Sequence, residues 1–252
     1  MAKVGIIGGS GLDNPDILSD SEDLRVSTPY GDPSSPLKTG TIGGVEVTLL
    51  ARHGRQHTIT PTMVNYRANI FALKEAGCTH ILATTAVGSL KEEIRRGDLV
   101  ILDQFIDFTR LRDLTFYDSF EPGRPLHTAM AEPYDAGLRN LLIKTAGELG
   151  LPFHPRGTVV TIEGPRFSTR AESFMFRAWG AEVINMSIAP ETILANEAGI
   201  PYAGIAMSTD YDCWKEDEEP VSWEAVLEVF NRNVEKVTRL LTSVLPRIAE
   251  QG

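Results

Sequence analysis

Short apolar runs recur along this chain and alternate with longer amphipathic stretches. Runs over 3–7, 46–51, 80–84, 98–102, 158–162, 182–186 and 202–207 have the length and branched apolar content of strands. Several are apolar on both faces, the pattern of a sheet covered on both sides. Stretches of helical periodicity predict helices over 61–76, 134–149, 168–178, 190–198 and 223–249. The first opens at Thr60-Pro61, a capping residue followed by proline at the first helical position. The second closes at Leu149-Gly150, where glycine suits a left-handed C-terminal residue. In the last, Val226, Val229, Phe230, Val234, Val237, Leu241, Val244 and Ile248 recur at helical spacing and mark one face for the core or for another subunit. Strands alternating with helices predict an α/β fold with a largely parallel or mixed sheet. No Pro/Ser/Gly linker, composition shift, repeat or low-complexity tract divides the chain. Residues 1–252 are therefore expected to form a single domain.

Composition narrows the partners. A formal net charge of −10 argues against nucleic acid, whose readers need a basic face. It leaves room for a small anion held by a few local cations. The two cysteines, Cys78 and Cys213, have no metal-ligand spacing and are too few for a disulfide framework. Met1-Ala2-Lys3-Val4 runs straight into a strand without the layout of a signal peptide. No apolar run reaches the roughly 18 residues of a membrane span. A cytoplasmic protein without membrane contact is expected.

In α/β sheets ligands gather at strand ends. The first strand is followed by Gly8-Gly9-Ser10-Gly11, which lets backbone approach an anion or simply forms a tight turn. It is neither a Walker loop nor a full dinucleotide fingerprint, since Asn14 stands where the third glycine belongs. Next comes Arg52-His53-Gly54-Arg55-Gln56-His57, a cationic cluster on an acidic chain, suited to phosphate or to a solvated basic turn. Thr85-Ala86-Val87-Gly88-Ser89 after 80–84 suits a phosphate or sugar edge, or a glycine turn. Ser187, another hydroxyl, follows 182–186, with Met186 beside it. Ser208-Thr209-Asp210-Tyr211-Asp212-Cys213-Trp214 sets two carboxylates among aromatics, fitted to one edge of a flat heterocycle or to a surface turn. Glu163-Gly164-Pro165-Arg166-Phe167 after 158–162 has the look of a pocket wall. Together these ends describe an anion site, a sugar-sized middle and a carboxylate-and-aromatic end, the outline of a purine nucleoside beside a phosphate. Gly-x-Ser-x-Gly, His-Glu-x-x-His and Cys-x-x-Cys are absent.

Asp103-Gln104-Phe105-Ile106-Asp107, Met130-Ala131-Glu132-Pro133, Thr161–Phe167 with Arg170-Ala171-Glu172-Ser173, and Thr209–Trp214 carry a resemblance. In these blocks, and from Ile6 to about Arg247, the chain resembles the purine nucleoside phosphorylase family, in the branch acting on 5′-methylthioadenosine. The resemblance implies a central mixed β-sheet flanked by helices. It implies reversible phosphorolysis of 5′-methylthioadenosine to adenine and 5-methylthioribose 1-phosphate, with phosphate as co-substrate and neither cofactor nor metal. It puts Ser10, Arg52, His53, Thr85, Ala86 and Ser187 around the phosphate. It puts Met186 at the ribose, His57 on the phosphate–sugar side, and the base near Phe167, against Ala86 and Val87, with Ser168 nearby. Asp210 and Asp212 face N7 and the 6-amino group, Asp210 as the general acid for the leaving purine. Val226 lines the 5′ end, where a valine suits a thioether. His127 is expected to reach a neighbouring active site within a homotrimer. Longer relatives carry a further C-terminal segment at the 5′ pocket; in this sequence, ending at Gly252, that wall is expected to be missing or built differently. A methylthioinosine or general purine nucleoside phosphorylase is the nearest rival, disfavoured by Asp210, since 6-oxopurine-specific relatives carry asparagine there. A nucleoside hydrolase would leave the anion site without use. A nicotinamide dehydrogenase lacks its third glycine and has only Asp32 near the place of its acid. A non-catalytic nucleoside binder would release no free base.

Overall fold

The computed structural model describes residues 2–8, 17–218 and 222–250. Its first strand, β1 (Lys3–Gly8), is buried after Lys3 because it lies parallel between two others. These are β4 (Val45–Ala51) on one edge and β5 (His80–Ser89) on the other. Val4 and Ile6 face one side of the sheet and Ile7 the other, the period of two that a doubly covered sheet requires. Two antiparallel strands, β2 (Ser19–Leu24) and β3 (Leu37–Ile42), extend the sheet beyond β4.

The spine is β5. Its first half pairs β1, while its end turns to meet β10 (Val183–Asn185) antiparallel at Gly88 and Ser89. Its other edge runs parallel to β11 (Tyr202–Asp210) along its length. Beyond β10 lie β9 (Thr158–Ile162) and β7 (Gln104–Phe108), both parallel; beyond β11 lie β6 (Leu99–Ile101) and β8 (Phe153–His154). The sheet is therefore mixed, and it forks where β5 changes partners.

Helices cover both faces. On one, α2 (Ala136–Glu148) and α5 (Trp223–Ala249) bury Leu138, Leu142, Leu240, Leu241 and Val244 against Val4, Val47 and Ile205. On the other, α1 (Tyr66–Glu75) and α4 (Ile188–Glu197) bury Ile70, Leu73, Leu194 and Ala195 against Ile7, Leu50 and Ile81. The short α3 (Arg170–Ala178) opens on a capping box between Thr169 and Glu172, and it buries Phe176 against Val160 and Ile184.

The structure corrects several expectations. The helix expected over 61–76 divides: Pro61–Met63 is a 3-10 turn, Val64 is extended, and α1 starts under an Asn65 cap. Thr60 makes no side-chain cap at all. Helix α4 begins before Pro190 because the first turn tolerates proline, whose missing N–H has no partner there anyway. Strands β5 and β11 run past 84 and 207, so Thr85–Ser89 and Ser208–Asp210 are strand and not loop. The polar β2 and the short β7 and β8 carry no apolar run that periodicity could detect.

Candidate active site

The carboxyl ends of β5, β10 and β11 converge on a cavity open to solvent. Arg52, His53, His57, Thr85, Ala86, Val87, Phe167, Ser168, Met186, Ser187, Asp210, Asp212 and Val226 all line it. Ser10 lies outside the described residues. His127 does not line the cavity; its exposed ring meets the edge of Phe120.

Arg52 follows β4 directly and is buried with its partners. Its Nε and Nη2 donate to the two oxygens of Glu191 on α4, the latter at 3.0 Å, and Nη1 donates to Thr84 O at 2.9 Å. Tyr202 Oη donates to the same carboxylate at 2.9 Å. Burial opposes the charge of Arg52, but the adjoining Glu191 more than offsets it and holds the pKa above the ordinary value. The cavity thus receives a fixed guanidinium whose charge Glu191 has already balanced. His53 Nδ1 lies 2.9 Å from Ile59 O, which fixes it as N–H and leaves Nε2 as an acceptor. Burial first, then the charge of Arg52, push the His53 pKa down to about 4, so its ring is neutral at pH 7.

Ser187 is the N-cap of α4, yet its hydroxyl makes no cap hydrogen bond. The amide of Ala189 is taken by Thr161 Oγ1 at 3.1 Å, and Pro190 has none. The helix end consequently offers an anion the Ser187 hydroxyl more than a ring of amides.

The two carboxylates sit where β11 ends. Asp210 Oδ1 accepts from Asp212 N, and Oδ2 from Thr209 Oγ1, each at 2.8 Å. A register shift between Ser208 and Asp210 sets this turn, and Asp212 takes φ 49°. Burial raises the pKa of Asp210, helped by the charge of Asp212, against the pull of these hydrogen bonds. Burial also raises that of Asp212, although the Ser168 and Ser173 hydroxyls close by pull the other way. Neither serine hydroxyl closes a hydrogen bond of ordinary geometry. Facing them across the strands is Gly88, where a Cβ would stand 2.8 Å from Asp210 Oδ1.

The third group is apolar. Val226, Leu227 and Phe230 of α5 line the cavity with Trp223. The Trp223 ring lies 5.1 Å from that of His57, which lies 4.5 Å from His53. This stack ties the loop after β4 to the start of α5.

The Glu163–Phe167 segment contributes only Phe167 to the lining. Glu163 accepts from the Arg110 and Leu111 amides and from Thr62, and Arg166 pairs with Glu172. These two polar residues brace the wall and do not face the ligand space. Sequence reasoning passed over Asn185 and Trp223 as site residues and quoted Gly88 and Thr209 only within candidate strand-end segments, without giving either a role. A polar residue ending an apolar strand was the available signal for Asn185; nothing local marked Trp223.

The model of the Phosphorylase superfamily matches residues 3–246. An S-methyl-5′-thioadenosine phosphorylase of Xenopus tropicalis is 60% identical over 250 residues, 98% of this chain and 89% of that protein. One of Danio rerio is 57% identical over the same shares. Among solved structures, a methylthioadenosine phosphorylase of Schistosoma mansoni in complex with adenine superposes with a TM-score of 0.94 at 45% identity, covering 99% of this chain and 93% of that one. A mutant of the adenosine/methylthioadenosine phosphorylase of Schistosoma mansoni, in complex with methylthioadenosine, gives 0.93 at 44%, covering 99% and 92%. With the sheet, the cavity and these likenesses in agreement, the chain belongs to the phosphorylase superfamily.

Proposed function

We propose that this chain catalyses reversible phosphorolysis of S-methyl-5′-thioadenosine, giving adenine and 5-methylthioribose 1-phosphate. The observation that carries the reading is one cavity holding three chemistries: a fixed guanidinium with spare hydroxyls, a buried carboxylate pair, and an apolar helix face. Relatives that share more than half of the sequence are named for this activity, and structural neighbours bind adenine and methylthioadenosine.

The glycosidic bond breaks with oxocarbenium character, so positive charge grows on the sugar and negative charge on the leaving adenine. Phosphate near Arg52, His53, Thr85 and Ser187 stabilises the cation and then captures the anomeric carbon. Asp210, its carboxyl held toward the protonated form by burial, relieves the purine at N7; Asp212 accepts from the 6-amino group. Val226, Leu227 and Phe230 favour a thioether over a hydroxyl, which would lie there unpaired. Phosphate is nucleophile and co-substrate, so the reaction calls for no metal or redox cofactor.

The assembly is a homotrimer in this reading. His127, the residue expected to reach a neighbouring cavity, sits on the segment between β7 and α2, and the exposed Leu111, Phe120 and Leu126 of that segment support the reading. A reducing cytoplasm agrees with the unpaired Cys78 and Cys213. Among the described residues no helix is long and apolar enough to cross a membrane.

The test is adenine release from 5′-methylthioadenosine with and without phosphate, beside adenosine and 5′-methylthioinosine. Phosphate-dependent release, fastest with 5′-methylthioadenosine, is expected. Release without phosphate makes the enzyme a hydrolase; preference for the inosine analogue overturns the role given to Asp210.

A further inference from the structure

A chain of hydrogen bonds runs beneath the cavity, and Asn185 is its centre. Asn185, nearly buried at the end of β10, also lines the cavity. The backbone amide of Ala189 donates to Thr161 Oγ1 at 3.1 Å, so the Thr161 hydroxyl proton is free to donate onward to Asn185 Oδ1, 2.8 Å away. The Ser187 amide points at the same oxygen from 3.5 Å. Backbone amides can only donate, so this end of the Asn185 carboxamide must be the oxygen. The other end is therefore the NH2 group, and Nδ2 donates to Thr85 Oγ1 at 3.2 Å.

This polarity decides what Thr85 can do. An amide nitrogen accepts nothing, so the Thr85 proton cannot return to Asn185. In the structure it goes to Ala86 O at 3.1 Å, a bond made by a residue that lines the cavity. An anion oxygen entering the cavity offers that proton a stronger acceptor.

We propose that Asn185 is a positioning residue for the phosphate step. It accepts the protons sent from α4 and Thr161, and so holds the Thr85 hydroxyl as an obligate donor toward phosphate. The inference rests on the proposed phosphorolysis. Asn185 itself acts through Thr85.

A double-mutant cycle on initial rates tests this. Asn185→Leu leaves Thr85 free to turn, and KM for phosphate is expected to rise about tenfold, the scale of one oriented hydrogen bond. KM for the nucleoside should stay within about twofold, which general damage to the cavity would not spare. Thr85→Val should raise KM for phosphate to a similar degree, and adding Asn185→Leu to it should change KM by less than about twofold. Full additivity, or an effect of Asn185→Leu that falls equally on both substrates, overturns the proposal. So does a Thr85→Val variant with unchanged KM for phosphate. If Asn185→Leu does not fold, Asn185→Asp keeps the oxygen that Thr161 needs and replaces only the donor at Thr85. Its KM for phosphate, taken as a ratio to wild type, should be raised at pH 8 and fall toward pH 6 as the buried carboxyl takes up a proton. A ratio that is near one, or constant with pH, overturns the proposal. Wild-type release that needs no phosphate overturns the proposed function and this inference together, whereas phosphate-dependent release with an additive cycle overturns the inference alone.

Discussion

Gly88→Ala adds one methyl group at the point where β5 and β11 carry the site between them. Gly88 pairs with Asp210 across the strands. The new Cβ would stand 2.8 Å from Asp210 Oδ1, 3.0 Å from Ile184 Cγ2 and 3.4 Å from Asp212 Cβ. The strands cannot part, because their spacing is set by the ladder on both sides of β5. The carboxylate must instead retreat by roughly half an ångström to reach ordinary contact distance. It cannot do so freely, since Oδ1 holds the Asp212 amide and Oδ2 the Thr209 hydroxyl. Overpacking of this kind costs about 1–3 kcal/mol of stability. Misplacement of the group that meets the leaving purine should also cost rate: about 10- to 100-fold in kcat/KM, or roughly 1.4–2.7 kcal/mol of transition-state stabilisation. The assay is phosphate-dependent adenine release, with the folded fraction measured by thermal unfolding at the assay temperature. A folded Gly88→Ala protein with wild-type kcat/KM would refute the placement of Asp210 at the reacting purine.

Asp210→Asn should weaken turnover of adenine nucleosides and shift preference toward 6-oxopurines, read as the ratio of kcat/KM for 5′-methylthioadenosine and 5′-methylthioinosine; an unchanged ratio refutes it. Because burial raises the Asp210 pKa, the native state holds that proton more tightly than the unfolded chain. Ionisation therefore costs stability as pH rises through 3.8 toward the native value, and the cost persists at neutral pH. A carboxamide in its place cannot ionise, so Asp210→Asn should unfold at higher temperature than wild type at pH 7.5 despite its lower activity. Val226→His should lower the efficiency for 5′-methylthioadenosine relative to adenosine, and an unaltered ratio removes Val226 from the 5′ end. His53, pushed down to about 4, stays neutral in the native state where the unfolded chain takes up a proton below pH 6.5. Stability present above pH 6.5 should thus be lost as pH falls toward 4, by at most about 3 kcal/mol. Urea unfolding of His53→Asn between pH 7.5 and 4.5 should lack that part of the slope.

The helices and most core strands were legible because their signal is local. The apolar stripe of α5 and the left-handed Gly150 after α2, at φ 63°, are each set within a few residues, so periodicity and a C-terminal glycine signal found both. The chemistry at strand ends was legible too: Arg52, Thr85, Ser187, Asp210 and Asp212 each follow or end an apolar run, and the fold gathers those ends around one cavity. What stayed hidden depends on pairing between distant segments. β5 and β11 extend through polar residues only because each supplies the other's hydrogen-bond partners. Glu191 belongs to the site because the fold sets it against Arg52, 139 positions away. Asn185 meets Thr85 across 100 positions, and the direction of its amide is decided by a helix amide that neither residue's neighbours predict. Gly88 is indistinguishable from a turn glycine until β11 places a carboxylate against it. Periodicity along the chain determined which segments are buried; which polar groups meet was decided by strand register and helix placement, because a hydrogen bond is satisfied at about 3 Å and lost an ångström away.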